Sequence, residues 1–402
     1  MTQPRAGPTL ERSVIVSAVR SPVGRFQGGL SGLGAPQLGA VVVQEALRRA
    51  GLQPADTEDV ILGNVLQAGL GQNPARQAAI RAGLPQQIPA FTVNQVCASG
   101  LRAVALAAQA VACGQARVVV AGGMENMSQA PYLLDRARTG YRLKDGVLID
   151  GLIRDGLWCA LADMHMGMTA ERIAEAYSIS RARQDTFALS SQRKAQAALS
   201  SGRFREEIVA IISPAGERQI IDQDETPRPS TTYEELAALA PAFKEDGTIT
   251  AGNACGISDG AAALVVVEKE FARQRGLASL GSIRAWACVG VDPAMMGLGP
   301  VPAIKQVLAK AGLKLEDISL LEVNEAFAAQ ILAVGEELSW DWERVNVLGG
   351  AIALGHPLGA TGARLLVTLL HEMGRRKAEF GLVALCVGGG QGMAMVIQRG
   401  EG

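Results

Sequence analysis

The 402-residue chain carries 38 basic and 39 acidic side chains, a near-neutral balance that excludes a general nucleic-acid binder, which needs a basic face. Apolar residues make up 48% of it, with ordinary Gly and Pro content, so the chain can bury large cores and is globular, as two to three domains or one large composite. The six cysteines (Cys97, Cys113, Cys159, Cys255, Cys288 and Cys386) form no C-x-x-C pair and only three histidines accompany them, which excludes zinc-ligand spacing.

In chain order, Met1 to Arg12 lacks the apolar stretch of a signal peptide, and no run approaches the roughly 18 apolar residues that cross a bilayer. The expectation is a cytoplasmic protein with free thiols and no membrane partner. Val14 to Val19 is β-branched and predicts a buried strand. Pro36 to Arg49 has one apolar and one polar side and predicts a helix stopped at Gly51. Asp59 to Val65 reads as a strand, and Gly71-Gln72-Asn73-Pro74 opens a further helix. The stretch after Cys97 is apolar almost all round through Ala112, so this helix must be buried on most sides. Val118 to Ala121 predicts a strand ending in Gly122-Gly123. The next region is polar and irregular to about Thr250, with helices expected over Met168 to Ala176 and Arg181 to Leu199. Ala261 to Val267 is again a strand.

A long repeat then becomes visible. Leu47-Arg48-Arg49-Ala50-Gly51-Leu52 and the strand from Asp59 match Leu308-Ala309-Lys310-Ala311-Gly312-Leu313 and the strand after Asp317. Val93-Asn94, a turn and a buried helix match Val345-Asn346, Gly349 to Gly362 and Ala363 to Met373. Val118 to Ala121 matches Leu382 to Leu385, which turns directly into Met393 to Ile397. The chain therefore reads as two similar α/β halves, the first holding a large insertion in a hairpin connection. The expected boundaries are 1–123 with 251–280 for the first half, 124–250 for the insertion and 281–402 for the second half. Pseudo-symmetric packing would bring the Cys97 turn and the Gly349–Gly362 turn together, with the site in a cleft between halves.

Cys97 lies in Val96-Cys97-Ala98-Ser99-Gly100-Leu101-Arg102, at a strand-to-helix junction. Unpaired N–H groups and partial positive charge at a helix start favour thiolate over thiol. Alone, such a residue reads as a buried, inert thiol. His356 sits between glycines at a helix entry and suits a general base once Cys97 is considered. No Lys-Ser/Thr pair follows these glycines, which argues against a phosphate-cradling loop. Asn324-Glu325 ends a strand, and Cys386 precedes Gly388-Gly389-Gly390. Singly these read as a turn, a cap and a packed thiol. Together, two cysteines, a histidine and glycine-rich backbone suit thiol acyl transfer. A metal site needs more ligands, and a papain-type protease has no use for the second cysteine.

The stretches Gly71 to Gln77, Asn94 to Gly100, Gly122 to Ser128, Asn324-Glu325-Ala326-Phe327, Gly355-His356-Pro357 and Cys386 to Gly390 are jointly far more specific than any one. From Val14 to Ile397 the chain resembles the thiolases, most closely their biosynthetic acetyl-CoA acetyltransferase branch. The resemblance implies the thiolase fold, two duplicated α/β halves in αβαβα layers with an inserted loop domain that binds coenzyme A. It implies an acyltransferase joining two acetyl-CoA into acetoacetyl-CoA and CoA, and the reverse thiolysis. Cys97 would carry the acyl group, His356 would take its proton, and Cys386 would act on the methyl of the second acetyl-CoA. Asn324 would act with His356, through a water, on the enolate oxygen. The N–H groups of Cys97 and Gly388 would hold the tetrahedral oxyanion.

The resemblance also sets Arg228 beside the adenine end, and Leu157, His165, Met166, Phe243, Ala251, Ala254, Met296 and Phe327 around the pantetheine and acyl pocket. It implies no metal and no cofactor, since coenzyme A and acyl-CoA are substrates. It implies no nucleic-acid partner, and a homotetramer with contacts over Tyr132 to Asp155. Five positions depart from the family. Cys255 replaces a Ser that contacts pantetheine, Met164 an aromatic, Arg172 an Asn, and Ala162-Asp163 an Asn-Gly. These lie near the substrate channel, so a thiolase for longer 3-oxoacyl-CoA chains is the runner-up, with Met164, Met166 and Met296 expected to control pocket volume. A ketoacyl synthase would use a different Cys-His-His set. A noncatalytic acyl-CoA-binding relative would lack one of the four reactive groups, all of which are present.

Overall fold

The computed structural model describes residues 10–212 and 220–400, so most of the Met1 to Arg12 stretch lies outside the described residues. The first half runs β1 (Ser13–Arg20), α1 (Ala35–Arg49), β2 (Asp59–Gly63), α2 (Pro74–Arg81), β3 (Ala90–Val93), α3 (Ser99–Ala112) and β4 (Val118–Asn126). After α4 (Met166–Ala176) and α5 (Arg181–Ser200), β5 (Ser258–Glu268) returns antiparallel to β4, pairing Val120 with Val265. The second half runs β6 (Gly281–Gly290), α6 (Pro300–Ala311), β7 (Leu320–Val323), α7 (Ala328–Leu338), α8 (Leu358–Arg376), β8 (Phe380–Val387) and β9 (Gln391–Arg399). The strand order is β7-β8-β9-β6-β1-β5-β4-β2-β3, and the two halves of the sheet meet through a single pairing, Ile15 with Gly281. Within each half the inner pairs are antiparallel, and β2 and β7 add on in parallel.

Strands buried on both faces read as largely apolar runs: β8 does throughout, and β1 and β4 do apart from buried polar residues such as Ser17, Arg20 and Glu125. Their alternate residues face different layers. Val119 and Ala121 of β4 join Leu101 and Val104 of α3, Leu365 and Leu369 of α8, and Leu385 and Met393 of the second half in one core. Val118 and Val120 instead pack under Leu38, Val42 and Ala78 of α1 and α2. On the far side, Ile304, Val307, Ile331 and Val334 of α6 and α7 cover Ala285, Ala287 and Val396. The result is five layers, αβαβα, with α3 and α8 in the middle.

The structure moves several expected boundaries. β4 does not stop at Gly122-Gly123 but runs on to Asn126. These glycines mark close approach rather than an end: a Cβ on Gly123 would stand 2.0 Å from the Gly359 carbonyl oxygen at the start of α8. β2 stops at Gly63, two residues early, because Val65 and Leu66 turn their N–H groups to the Glu125 carboxylate at 3.0 and 3.1 Å. α4 begins two residues early because His165 caps it, Nδ1 accepting from the Gly167 N–H at 3.0 Å.

Among the described residues between β4 and β5 no strand joins the large sheet. Buried charge ties this stretch to the first half. Arg20 of β1 donates to Glu207 at 2.6 Å and to both Asp224 oxygens at 2.6 and 2.9 Å, with its guanidinium over the Phe204 ring.

Candidate active site

Cys97 stands in a tight turn ahead of α3, and the turn is strained. Val96, a β-branched residue, adopts φ +46°, which side chains of its shape rarely take. Side chains hold it there. Asn94 Oδ1 accepts the Val96 N–H at 3.0 Å, Ser99 Oγ donates to the Val96 carbonyl at 2.6 Å, and the Gln95 N–H donates to Ser99 Oγ at 2.9 Å. The N–H groups of Gly388 and of Cys97 itself lie close enough to the Cys97 sulfur to favour its ionised form.

The helix start does not make Cys97 a resting thiolate. Burial pushes the thiol up to about 11, the two N–H groups offset only part of that, and the charge of Glu125 adds to it. The sequence expectation of a favoured thiolate is therefore corrected. The thiol is neutral at rest.

His356 is held in one tautomer. Thr361 spends its single hydroxyl hydrogen on the Pro357 carbonyl at 2.8 Å, so at 2.7 Å from His356 Nδ1 it accepts. That fixes the hydrogen on Nδ1 and leaves a lone pair on Nε2. Asn324 Nδ2 lies 3.4 Å from Nε2. Burial, and the positive charge of Arg364, lower His356 to about 3, so the imidazole is neutral. Thr361 was not singled out in the sequence. Its signal was its place four residues after Pro357, where a helical Thr can bond back to a carbonyl.

Cys386, next to last in β8, is fully buried beside Met166 and Phe327, and burial with the nearby charges of Cys97 and Cys255 pushes it far up. Cys255 is pushed up to about 12 by burial and by Cys97. Three thiols thus share one site. Gly388 fits between Val96 and Met166, and Gly390 can only be glycine, since a Cβ at its φ of +82° would stand 2.4 Å from the Val291 carbonyl oxygen.

A cleft of about 970 Å³ leads to this cluster. His356, Cys255, Ala254, Ala251 and Phe327 line it, as do Leu157, His165, Met166, Phe243 and Arg228. His165 stacks on Phe243 with centroids 4.7 Å apart, and Phe243 meets Phe327 edge-on. Cys97 packs behind the wall in the same apolar cluster as Leu157 and Leu358. Met296 does not reach the wall. It is buried behind Met166, Phe327 and Cys386. Met164 does not line the cleft either, so of the three methionines expected to set its volume only Met166 does. Arg25, Phe26, Glu225 and Leu358 line it without having been anticipated. The first three come from irregular segments with no periodic signal. Among the described residues no cluster of His, Cys, Asp and Glu could hold a metal ion, and no helix is long and apolar enough to cross a membrane.

Comparison with known proteins agrees with this geometry. Residues 13–270 match the family model for the thiolase N-terminal domain and residues 277–399 that for the thiolase C-terminal domain. An acetyl-CoA acetyltransferase of Pseudomonas aeruginosa is 57% identical over 388 residues, covering 96% of this chain and 99% of its own. One from Escherichia coli is 57% identical over 392 residues, covering 97% and 100%. The crystal structure of the Bacillus anthracis acetyl-CoA acetyltransferase superposes with a TM-score of 0.94 at 45% identity, covering 96% of this chain and 98% of that one. Human mitochondrial 3-ketoacyl-CoA thiolase in complex with CoA gives 0.94 at 41% identity, covering 98% and 100%. With both halves matched nearly end to end, the chain belongs to the thiolase family.

Proposed function

We propose that the chain is an acetyl-CoA C-acetyltransferase, condensing two acetyl-CoA into acetoacetyl-CoA and CoA and running the reverse thiolysis through an acyl-Cys97 intermediate. The Gly388 N–H near the Cys97 sulfur, Asn324 beside His356 Nε2, and Cys386 near Cys97, behind a cleft that His356 and Cys255 line, together carry this reading. Cys97 attacks the thioester as His356 Nε2 takes its proton, and the N–H groups of Cys97 and Gly388 receive the oxyanion. Losing one such donor typically costs about 3 kcal/mol of barrier. A thiol as reluctant to ionise as Cys386 starts protonated. It gives its proton to the departing CoA thiolate and so becomes the base that removes a methyl proton from the second acetyl-CoA. The imidazolium left from the first step, with Asn324 through a water, then stabilises the enolate oxygen.

The region 124–250 is proposed as the loop domain that receives coenzyme A, with Arg228 toward the adenine end. Cys255 faces the pantetheine arm as a weaker donor than a serine hydroxyl. Met166, against Gly388 and packed with Phe327 and Met296, closes the acyl end and favours the four-carbon substrate. The runner-up, a broader 3-oxoacyl-CoA thiolase, draws on the similarity to the human mitochondrial 3-ketoacyl-CoA thiolase, 42% identical. Thiolysis of acetoacetyl-CoA beside 3-oxo-octanoyl-CoA separates the two. We expect at least tenfold higher kcat/KM for the shorter substrate, and equal or faster cleavage of the longer one would install the runner-up.

We further propose a cytoplasmic homotetramer. Tyr132, Leu143, Val147 and Leu148 leave large apolar side chains in solvent on one short segment, Leu143 90% exposed, more than a soluble monomer tends to leave together. Light scattering should give the mass of four chains, and Leu143→Asp with Leu148→Asp should lower it. A wild-type mass of one chain would refute the assembly.

A further inference from the structure

His356 rides on a segment, Asn346 to Thr361, that passes from the second half to the central layer. Its two ends are held by two buried carboxylates that come from different halves. Glu325 is the residue after Asn324. It accepts from Asn346 Nδ2 at 2.8 Å, Ser191 Oγ at 2.6 Å and the Ile352 N–H at 3.3 Å. Glu125 lies in β4 of the first half. It accepts from the Gly359 N–H at 2.8 Å, Asn64 Nδ2 at 2.7 Å, and the N–H groups of Val65 and Leu66. Both side chains are fully buried, and neither lines the cleft.

The chain has made room for these contacts. A Cβ on Gly350 would stand 2.1 Å from the Glu325 carboxyl carbon, and one on Gly359 would stand 2.9 Å from a Glu125 oxygen. Gly359 offers its N–H from the first turn of α8, where such groups lack internal partners and an anion is favoured, and Ile352 offers one from the short four-residue helix Ala351–Leu354. His356 sits between these two anchor points, three residues before Gly359 and four after Ile352.

We propose that Glu125 and Glu325 are positioning residues for the acyl transfer, a carboxylate from each half clamping the two ends of the His356 segment so that Nε2 is held toward Cys97. This rests on the roles given above to Cys97 and His356. Four donors converge on Glu125, and only a carboxylate has acceptor sites for them all. A glutamine of equal size would turn an NH₂ against one of these N–H groups and push a strand-end loop or the first turn of α8 away. Misplacement of a catalytic group by about 1 Å can cost 100-fold in rate. Glu125 also faces Cys97 and Asp259, while Glu325 faces Lys194, Glu322 and Cys255.

The test uses Glu125→Gln and Glu325→Gln in the full chain, with His356→Ala as reference. For acetoacetyl-CoA thiolysis we expect kcat to fall at least tenfold in each variant with KM changed less than threefold. Placed in the His356→Ala background, either substitution should lower kcat by no more than twofold, since no imidazole remains to position. Iodoacetamide should alkylate Cys97 at lower pH in Glu125→Gln, because the negative charge opposing the thiolate is gone. Unchanged kcat in folded variants, or the same loss with and without His356, would overturn the proposal. If neither Gln variant folds, Ser191→Ala removes one Glu325 donor and should lower kcat two- to fivefold at constant KM, and an unchanged kcat would count as refutation. Full activity of His356→Ala would instead refute the proposed reaction roles, a result separable from any failure of the clamp.

Discussion

A Cys386→Ser enzyme should take one acetyl group from acetyl-CoA onto Cys97 and yet make acetoacetyl-CoA about 1,000-fold more slowly, the scale of a lost proton-transfer catalyst. The reasoning is a proton count. His356 and the two N–H groups serve attack by Cys97, and none of them is altered. The carbon acid of the second acetyl-CoA still needs a base, and Cys97 is already esterified. A serine hydroxyl is a far weaker acid than a thiol, so it neither protonates departing CoA well nor persists as an alkoxide. Intact-protein mass would report the acetyl group, and absorbance of acetoacetyl-CoA the condensation. Condensation at the parent rate would remove Cys386 from the mechanism.

The largest stability effect is expected at Arg20. Its guanidinium is 1% exposed and holds Glu207 and Asp224, both buried, between β1 and the stretch that precedes β5. Arg20→Met would leave both carboxylates without the guanidinium that bonds them, with only the charge of Arg364 nearby, which costs about 3–5 kcal/mol, whereas a fully matched apolar replacement of all three could be neutral. The denaturant midpoint of Arg20→Met should drop well below the parent's. Arg48→Met, which removes an exposed partner of Glu45 on α1, should leave it in place. Equal midpoints for the two variants would show that the buried cluster adds nothing.

The proposed reaction residues could be picked out of the sequence because their signals are chemical and local: a cysteine at a strand-to-helix turn, a histidine between glycines, a second cysteine before three glycines. The repeat carried the two halves, since apolar spacing in each must solve the same packing problem. What stayed hidden depended on long-range contacts. Gly122-Gly123 looks like the end of a strand until α8 is known to press on it. His165 looks like a ligand contact until it is also seen to cap α4. The thiolate expectation for Cys97 failed because a helix end, worth about 0.3–1 kcal/mol, is weaker than burial at this position. Arg25, Phe26 and Glu225 reach the cleft from segments whose conformation is set by partners up to 200 residues away, such as Glu225 accepting the Arg25 N–H.

The crossing of α3 and α8 also limits how the two halves can change. Gly100 and Gly123 of the first half meet Gly359 of the second, and Gly362 meets Leu101, at separations where a single added methyl would collide with backbone. Their apolar faces form one core, not two. The halves therefore cannot drift apart in sequence as independent copies of a duplicated unit would. A substitution on one side of the crossing is tolerated only with a matching change on the other, so the molecule inherits its halves as a single unit of selection.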